Sequence, residues 1–199
     1  MACTGIGLLD PFALLERLGV VQGYTIADLG CGALGHFVFP AAELVGANGR
    51  VYAVDVQKSA LQRIESEGRR EQYWNIQPIW SDVEHPRQTP VPTAGMDLTL
   101  IVNALYLSSK PDAWAEEAWR MTKPGGRVLI IDWHPTATPL GPAVAMRREP
   151  DAVGELFARA GWTVEADKLE TGDHHYAIVC RKPDVFPETQ VEFISHPVD

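Results

Sequence analysis

The sequence predicts an α/β fold built around a mainly parallel sheet. Three observations carry that expectation. Short apolar runs of β-type alternate with amphipathic helical stretches along the chain. Seven such runs are present, and the last two are joined by only five residues, Glu170 to His174. A link that short suits an antiparallel hairpin and leaves no room for a crossover helix. At 199 residues, 46% hydrophobic and 22% charged, the chain has material for one ordinary core, which excludes disorder throughout. The reading is one domain over residues 1–182 and a proline-containing tail over 183–199.

Each element has its own local reason. Asp10 can cap a helix that Pro11 opens and Gly19 closes, with Phe12, Leu15 and Leu18 on one face. A strand over Thr25–Leu29 runs into a glycine loop, Gly30 to Gly35. A helix over His36–Leu44 follows, with Pro40 in its first turn and Gly46 beyond its end. The second strand, Arg50–Asp55, leads to a helix over Ser59–Glu67 that turns Ala60, Leu61 and Ile64 inward. The third strand is Ile76–Trp80, followed by Ser81-Asp82. His85 to Gly95 carries three prolines and reads as a loop.

The fourth strand is Met96–Val102. Pro111 opens a helix ending near Met121, and Lys123-Pro124-Gly125-Gly126 turns the chain into a fifth strand, Arg127–Asp132. Trp133 to Glu149 has no period and three prolines, so it is expected to be a long surface loop. Pro150 starts a helix over Asp151–Ala160, stopped by Gly161. Thr163–Leu169 and His175–Arg181 form the closing hairpin.

Charge narrows the partners. Lys plus Arg is 17 and Asp plus Glu is 26, a net charge of −9. Polyphosphates and anionic membranes are held by Lys and Arg, which here cluster no more densely than in pairs such as Arg69-Arg70 and Arg147-Arg148. Nucleic acid and membrane are therefore not expected as partners. No run approaches a membrane span, and no apolar stretch follows a positive start as in a secretory signal. Cys3, Cys31 and Cys180 show no metal-ligand spacing, and a sparse, odd set suits reduced thiols in a cytoplasm.

Residues 25–35 read T-I-A-D-L-G-C-G-A-L-G. A strand delivers glycines to a tight turn, and a helix leaves it. That arrangement makes a nucleotide-type pocket at the carboxyl ends of the strands. Asp55 ends the second strand, placed to accept from both hydroxyls of a ribose. Asp82 stands at the next strand end and is able to accept from the exocyclic amine of an adenine. Asn103 ends the fourth strand beside the same crevice. Two ligands compete for it. Gly30 to Gly35 matches G-x-G-x-x-G, the dinucleotide fingerprint of an NAD-dependent oxidoreductase. Yet no Lys or Arg lies between Arg17 and Arg50, and the carboxylate of Asp28 repels pyrophosphate and favours a cation.

The arrangement resembles the class I S-adenosylmethionine-dependent methyltransferases, particularly the small ones similar to ubiquinone/menaquinone C-methyltransferases. The resemblance spans about residues 8–182. It rests on Asp28-Leu29-Gly30-Cys31-Gly32, on Val51-Tyr52-Ala53-Val54-Asp55, on Ser81-Asp82, on residues 96–103 and on residues 120–130. It implies a Rossmann-like, doubly wound seven-stranded sheet of order 3-2-1-4-5-7-6, with an antiparallel last strand and helices on both faces. It implies S-adenosyl-L-methionine as cofactor and a small-molecule methyl acceptor. The loop Asp28, Gly30, Cys31, Gly32 with Gly35 would bind the methionine end. Asp55, followed by Val56, would hold the ribose, Asp82 and Val83 would meet the adenine, and Asn103 would lie near the transferring methyl. One departure stands out: the family's next glycine falls at Leu34, and this chain has Gly35 instead. Either the loop carries an extra residue or the helix starts differently.

Other side chains have ordinary readings beside sharper ones. Cys31 reads as a small buried residue. His134 and Tyr106 are the candidates for a catalytic role, and Trp133 for a substrate pocket. Arg147 and Arg148 could clamp an acidic substrate, with solvated surface as the plainer fate. His36, His134, His174 and His175 match no helical ligand pattern, and neighbours on a strand face opposite ways, so no metal site is expected. A non-catalytic cofactor-binding module is the remaining alternative.

Overall fold

The computed structural model describes residues 9–136, 140–165 and 169–184. Among the described residues, five α-helices and seven strands follow in the order α1 (Pro11–Arg17), β1 (Thr25–Leu29), α2 (Val38–Val45), β2 (Arg50–Asp55), α3 (Lys58–Arg70), β3 (Ile76–Trp80), β4 (Met96–Val102), α4 (Pro111–Met121), β5 (Thr122–Trp133), α5 (Pro150–Arg159), β6 (Thr163–Val164) and β7 (His175–Arg181). The strands form one sheet of order β3-β2-β1-β4-β5-β7-β6. The first five are parallel, and β7 runs antiparallel to both β5 and β6.

The strands are apolar on both faces because helices cover both. Ile26, Val51, Leu98 and Leu100 pack on α1 and α2, while Leu29, Val54 and Ile101 pack on α4 and α5. The chain leaves β1 toward β2 on one side, and β4 lies on the other. The strand order thus reverses at the carboxyl end of β1, the position where open α/β sheets leave a crevice.

Several expected boundaries are corrected. Helix α2 starts at Val38 rather than His36, because Gly35 takes φ +55° and the chain needs two more residues to enter the helix. Of the two alternatives left by the shifted glycine, the later helix start is therefore the one observed. Pro40 still falls where no intrahelical donor is required. Helix α3 extends from Lys58 to Arg70, its basic last turn suiting the carboxyl end of a helix.

The Lys123–Gly126 turn does not precede β5 but lies inside it. Met96 pairs with Thr122 and Leu98 with Arg127, so the turn is a bulge between two paired stretches. Gly125 N–H donates to the Lys182 carbonyl and Lys182 N–H to that of Gly126, which ties the bulge to the chain beyond β7. Strand β6 is only Thr163–Val164, with Glu165 N–H still donating to Val179. Residues 166–168 of the expected strand, and the tail beyond 184, lie outside the described residues.

The expected surface loop after β5 does lie at the surface, with Ala143–Met146 exposed, but it starts one residue later and is braced from within. Trp133 belongs to β5 and is buried, its ring 4.3 Å from that of His175. Gly141, at φ +86°, lies so close to that ring that a Cβ would sit 2.5 Å from it. Arg147 is buried too, and its guanidinium donates to the carbonyls of His134, Thr136, Leu140 and Pro142.

Candidate functional site

The crevice at the reversal point holds two hollows. One, of about 110 Å³, is lined by Asp28, Cys31, Gly32, His36, Phe37, Val102, Asn103 and Tyr106. The other, of about 300 Å³, is lined among others by Gly30, Asp55, Val56, Asp82, Val83 and Leu107. Of the residues expected from sequence to bind a cofactor, only Gly35 lines neither. Its missing side chain makes room for Phe39 instead, since a Cβ there would lie 2.8 Å from that ring.

The glycines divide their work. Gly30, at φ +73°, lets the turn settle on Ala104 and Trp114, which a Cβ would meet at 2.8 and 3.1 Å. Gly32, at φ +64°, has nothing within 4 Å of where its Cβ would stand. It therefore fixes the backbone turn and leaves open space above it.

The turn's own N–H groups are engaged. Gly30 and Cys31 both donate to the Val54 carbonyl, at 2.8 and 3.1 Å. Gly32 N–H donates to Asp55 Oδ2 at 2.9 Å, and Gln57 N–H donates to Oδ1 at 2.8 Å. Asp55 thus ties the glycine turn to the start of α3, a role that strand-end position alone did not reveal. Its carboxylate still borders the larger hollow.

Asp28 is the opposite case. It is 2% exposed, and its Oδ1 has no hydrogen-bond partner among the described residues. Burial, and then the neighbouring Asp55 carboxylate, push its pKa up to about 7. The same burial, with both carboxylates beside it, holds the Cys31 thiol protonated far above its usual range, so Cys31 is not a nucleophile. Asp82 is exposed at the rim, accepting from Glu84 N–H at 2.9 Å and 3.0 Å from His85 Nδ1.

Asn103 takes φ +50°, a conformation Asn tolerates better than most residues, and its N–H donates to the Ile131 carbonyl. The next turn, Leu105–Leu107, is held from three directions. Tyr106 N–H donates to Asp132 Oδ2 at 2.8 Å. Arg148 donates to the carbonyls of Leu105 and Ser108. Glu84 accepts from Ser108 and from both N–H and hydroxyl of Ser109. Those serine bonds draw the Glu84 pKa down to about 2.

Asp132, Glu84 and His36 were missed by the sequence reading. Asp132 ends a strand just as Asp55 does, which was a usable signal. Burial raises its pKa to about 6. Of the two catalytic candidates, Tyr106 lines the smaller hollow. His134 lines neither hollow and packs its ring edge-on to Tyr176 at 5.8 Å. Trp133 is core, and neither Arg147 nor Arg148 points its donors at a ligand: both brace loops by bonding to carbonyls. No helix among the described residues is long and apolar enough to cross a membrane.

Comparison with known proteins adds to this geometry. Residues 21–178 match the model of a methyltransferase domain family. The chain is 30% identical over 125 residues to a demethylmenaquinone methyltransferase of Lactococcus lactis, covering 61% of this chain and 47% of that protein. It is 27% identical over 197 residues to an arsenite methyltransferase of Halobacterium salinarum, covering 98% of this chain and 46% of that protein. The chain thus spans about half the length of these relatives. A solved S-adenosylmethionine-dependent methyltransferase from Aquifex aeolicus superposes with a TM-score of 0.80 at 25% identity, covering 89% of this chain and 92% of the other.

Proposed function

The chain belongs to the class I S-adenosylmethionine-dependent methyltransferases, and from that premise we propose that it transfers a methyl group from S-adenosylmethionine to a small-molecule acceptor. The observation that carries the reading is the mismatch of polar groups at the glycine turn. The N–H groups of Gly30, Cys31 and Gly32 already have acceptors, while Asp28 Oδ1 has no donor among the described residues. A pyrophosphate needs free N–H groups there. A cationic ligand needs a bare carboxylate oxygen. The residues therefore fit a sulfonium and ammonium ligand and disfavour NAD.

In this reading Asp55 and the rim carboxylate Asp82 hold the adenosine in the larger hollow, and Asp28 faces the charged tail in the smaller one. S-adenosylmethionine, when bound, supplies a methyl group already activated by its sulfonium. The protein's contribution is placement and exclusion of water. Asp132, Arg148 and Glu84 fix the Leu105–Leu107 turn, so that Tyr106 and Leu107 close over the two hollows. Positioning of this kind can account for roughly 7–11 kcal/mol of a transfer barrier. Tyr106 stands where an acceptor would sit, and its phenol is held protonated by burial and by the Asp132 charge. It therefore orients an acceptor by donating a hydrogen bond. The sparse cysteines and acidic charge support a cytoplasmic setting.

The relatives' names, menaquinone and arsenite methyltransferases, support a small acceptor. Incubation with methyl-labelled S-adenosylmethionine and a panel of hydroquinones, arsenite, phenols and thiols tests this. Transfer of label to one of these compounds is expected. Cofactor binding with no transfer to any small compound contradicts it and favours a binding module.

A further inference from the structure

A hollow of about 530 Å³ lies at the far end of the sheet from the crevice. Ala94 just before β4, Trp119 near the end of α4, Pro124 in the bulge of β5 and Lys182 just after β7 contribute to its walls. Strands β4 and β5 start here and finish at the crevice, while β7 runs the other way. No residue of this hollow lines either of the two described above.

The walls are fixed before any ligand arrives. Ala94 and Gly95 N–H donate to the carbonyls of Arg120 and Met121, at 2.8 and 2.9 Å, which fastens the loop before β4 onto α4. The Arg120 guanidinium donates to the carbonyls of Thr89 and Val91 and to the Thr93 hydroxyl. Arg87 N–H donates to Glu117. Arg87 and Ala94 take φ +68° and +51°, a region that residues with a side chain occupy only where their surroundings hold them.

Charge is unbalanced in this hollow. Arg87, Arg120 and Lys182 line it with one acid, Glu116. Arg120 is answered by Glu117 at 2.8 Å. Glu116 comes only within 3.8 Å of Arg87, and both side chains are largely exposed, so that pair contributes little. Lys182 is 5% exposed and has no carboxylate in ion-pair reach among the described residues. Its Nζ donates to the carbonyls of Trp119 and Thr122, at 2.7 and 2.8 Å, and stands 4.7 Å from the centre of the Trp119 ring. An ammonium has three N–H groups. The third here has no acceptor among the described residues. Burial lowers the Lys182 pKa, with no acid to offset it. Three cations are thus set against two carboxylates, in a chain whose net charge is −9.

We propose that this hollow is a second binding site, which takes a monocarboxylate on a ring-sized apolar body. The indole of Trp119, with Pro124 and Ala94, offers the apolar surface for the ring. The excess positive charge of Arg87 and Lys182 draws the carboxylate. A single excess charge suits one carboxylate and falls short of what a polyphosphate requires.

Titration of the full chain with phenylacetate, and with 2-phenylethanol as its uncharged counterpart, tests this. The signal to follow is the indole N–H of Trp119 in heteronuclear NMR. Wild type is expected to bind phenylacetate about tenfold more tightly than the alcohol. Saturation with S-adenosylhomocysteine should leave both affinities unchanged. Arg87→Gln, at an exposed side chain, should weaken phenylacetate about threefold and leave the alcohol as it was. Lys182→Gln, which keeps a donor for the two carbonyls, should remove most of the preference for the acid. If that variant does not fold, wild type and Arg87→Gln decide the matter. Equal affinity of wild type for the two compounds overturns the proposal, as does an unchanged preference in Arg87→Gln. An unmoved Trp119 signal, or displacement of phenylacetate by S-adenosylhomocysteine, also overturns it.

Discussion

The glycine turn after β1 and the proline-containing loop after β5 both bury charge, and they do so to opposite ends. In the loop, Arg147 donates to four carbonyls and leaves none of those groups waiting. In the turn, Asp28 is as deeply buried and leaves Oδ1 unmet, with its pKa raised to about 7. Glu117 sharpens the contrast within the acids. It is fully buried as well, yet Arg120 and the Arg87 N–H satisfy it and hold its pKa below the ordinary carboxylate range. Burial alone does not mark a functional charge. Unmet hydrogen-bonding capacity in a hollow does.

The largest expected effect breaks the structural side of that contrast. Arg147→Met should lower stability by about 3 kcal/mol or more, because it strands buried carbonyls, and a urea melt measures the loss. At the turn the outcome should be reversed. Asp28→Asn should hold or raise the melting midpoint while weakening S-adenosylhomocysteine roughly 10- to 150-fold, as read by calorimetry. A variant that loses stability and keeps affinity would show Asp28 to be structural after all.

Acidity offers a finer distinction. The Asp28 carboxyl binds its proton more tightly folded than unfolded, with values of about 7 against 3.8. Between those values the folded state holds more protons, so stability falls as pH rises from about 4 to 7 and then levels off. The swing from this group is roughly 4 kcal/mol. Asp132, raised to about 6, adds a slope of the same sign over a narrower range. Denaturant melts across this range should therefore show a steep decline in wild type and a shallower one in Asp28→Asn. Parallel curves for the two proteins would remove Asp28 as the source. The smallest effect belongs at the rim. Asp82 has a side chain 47% exposed, so Asp82→Ala should weaken ligand binding only about two- to fivefold.

Legibility in the sequence followed the range of the forces involved. The glycine turn, Asp55 and the strand alternation depend on neighbours in the chain, and they stand where local rules put them. The antiparallel β7 was legible from a short link. Beyond local reach the reading failed. Lys123-Pro124-Gly125-Gly126 has the composition of a break, yet pairing with β4 and the chain after β7 absorbs it as a bulge. The loop after β5 has no period, and nothing near Arg147 in sequence shows that four carbonyls surround it. At the site, Asp55 was found for its place at a strand end. Its bonds to Gly32 and Gln57 were not, because they exist only once the turn has folded back. His36 drew notice only among the histidines set aside as metal ligands, since its place beside Asp28 at the smaller hollow exists only once the turn has folded.

The central claim is that a buried carboxyl waits for a cation at the end of β1. Titration with S-adenosylhomocysteine near pH 7, repeated in buffers of different ionisation enthalpy, measures protons released on binding. The account predicts a substantial fraction of a proton released by wild type and almost none by Asp28→Asn. Binding without proton release, or NAD binding more tightly than S-adenosylhomocysteine, would contradict it.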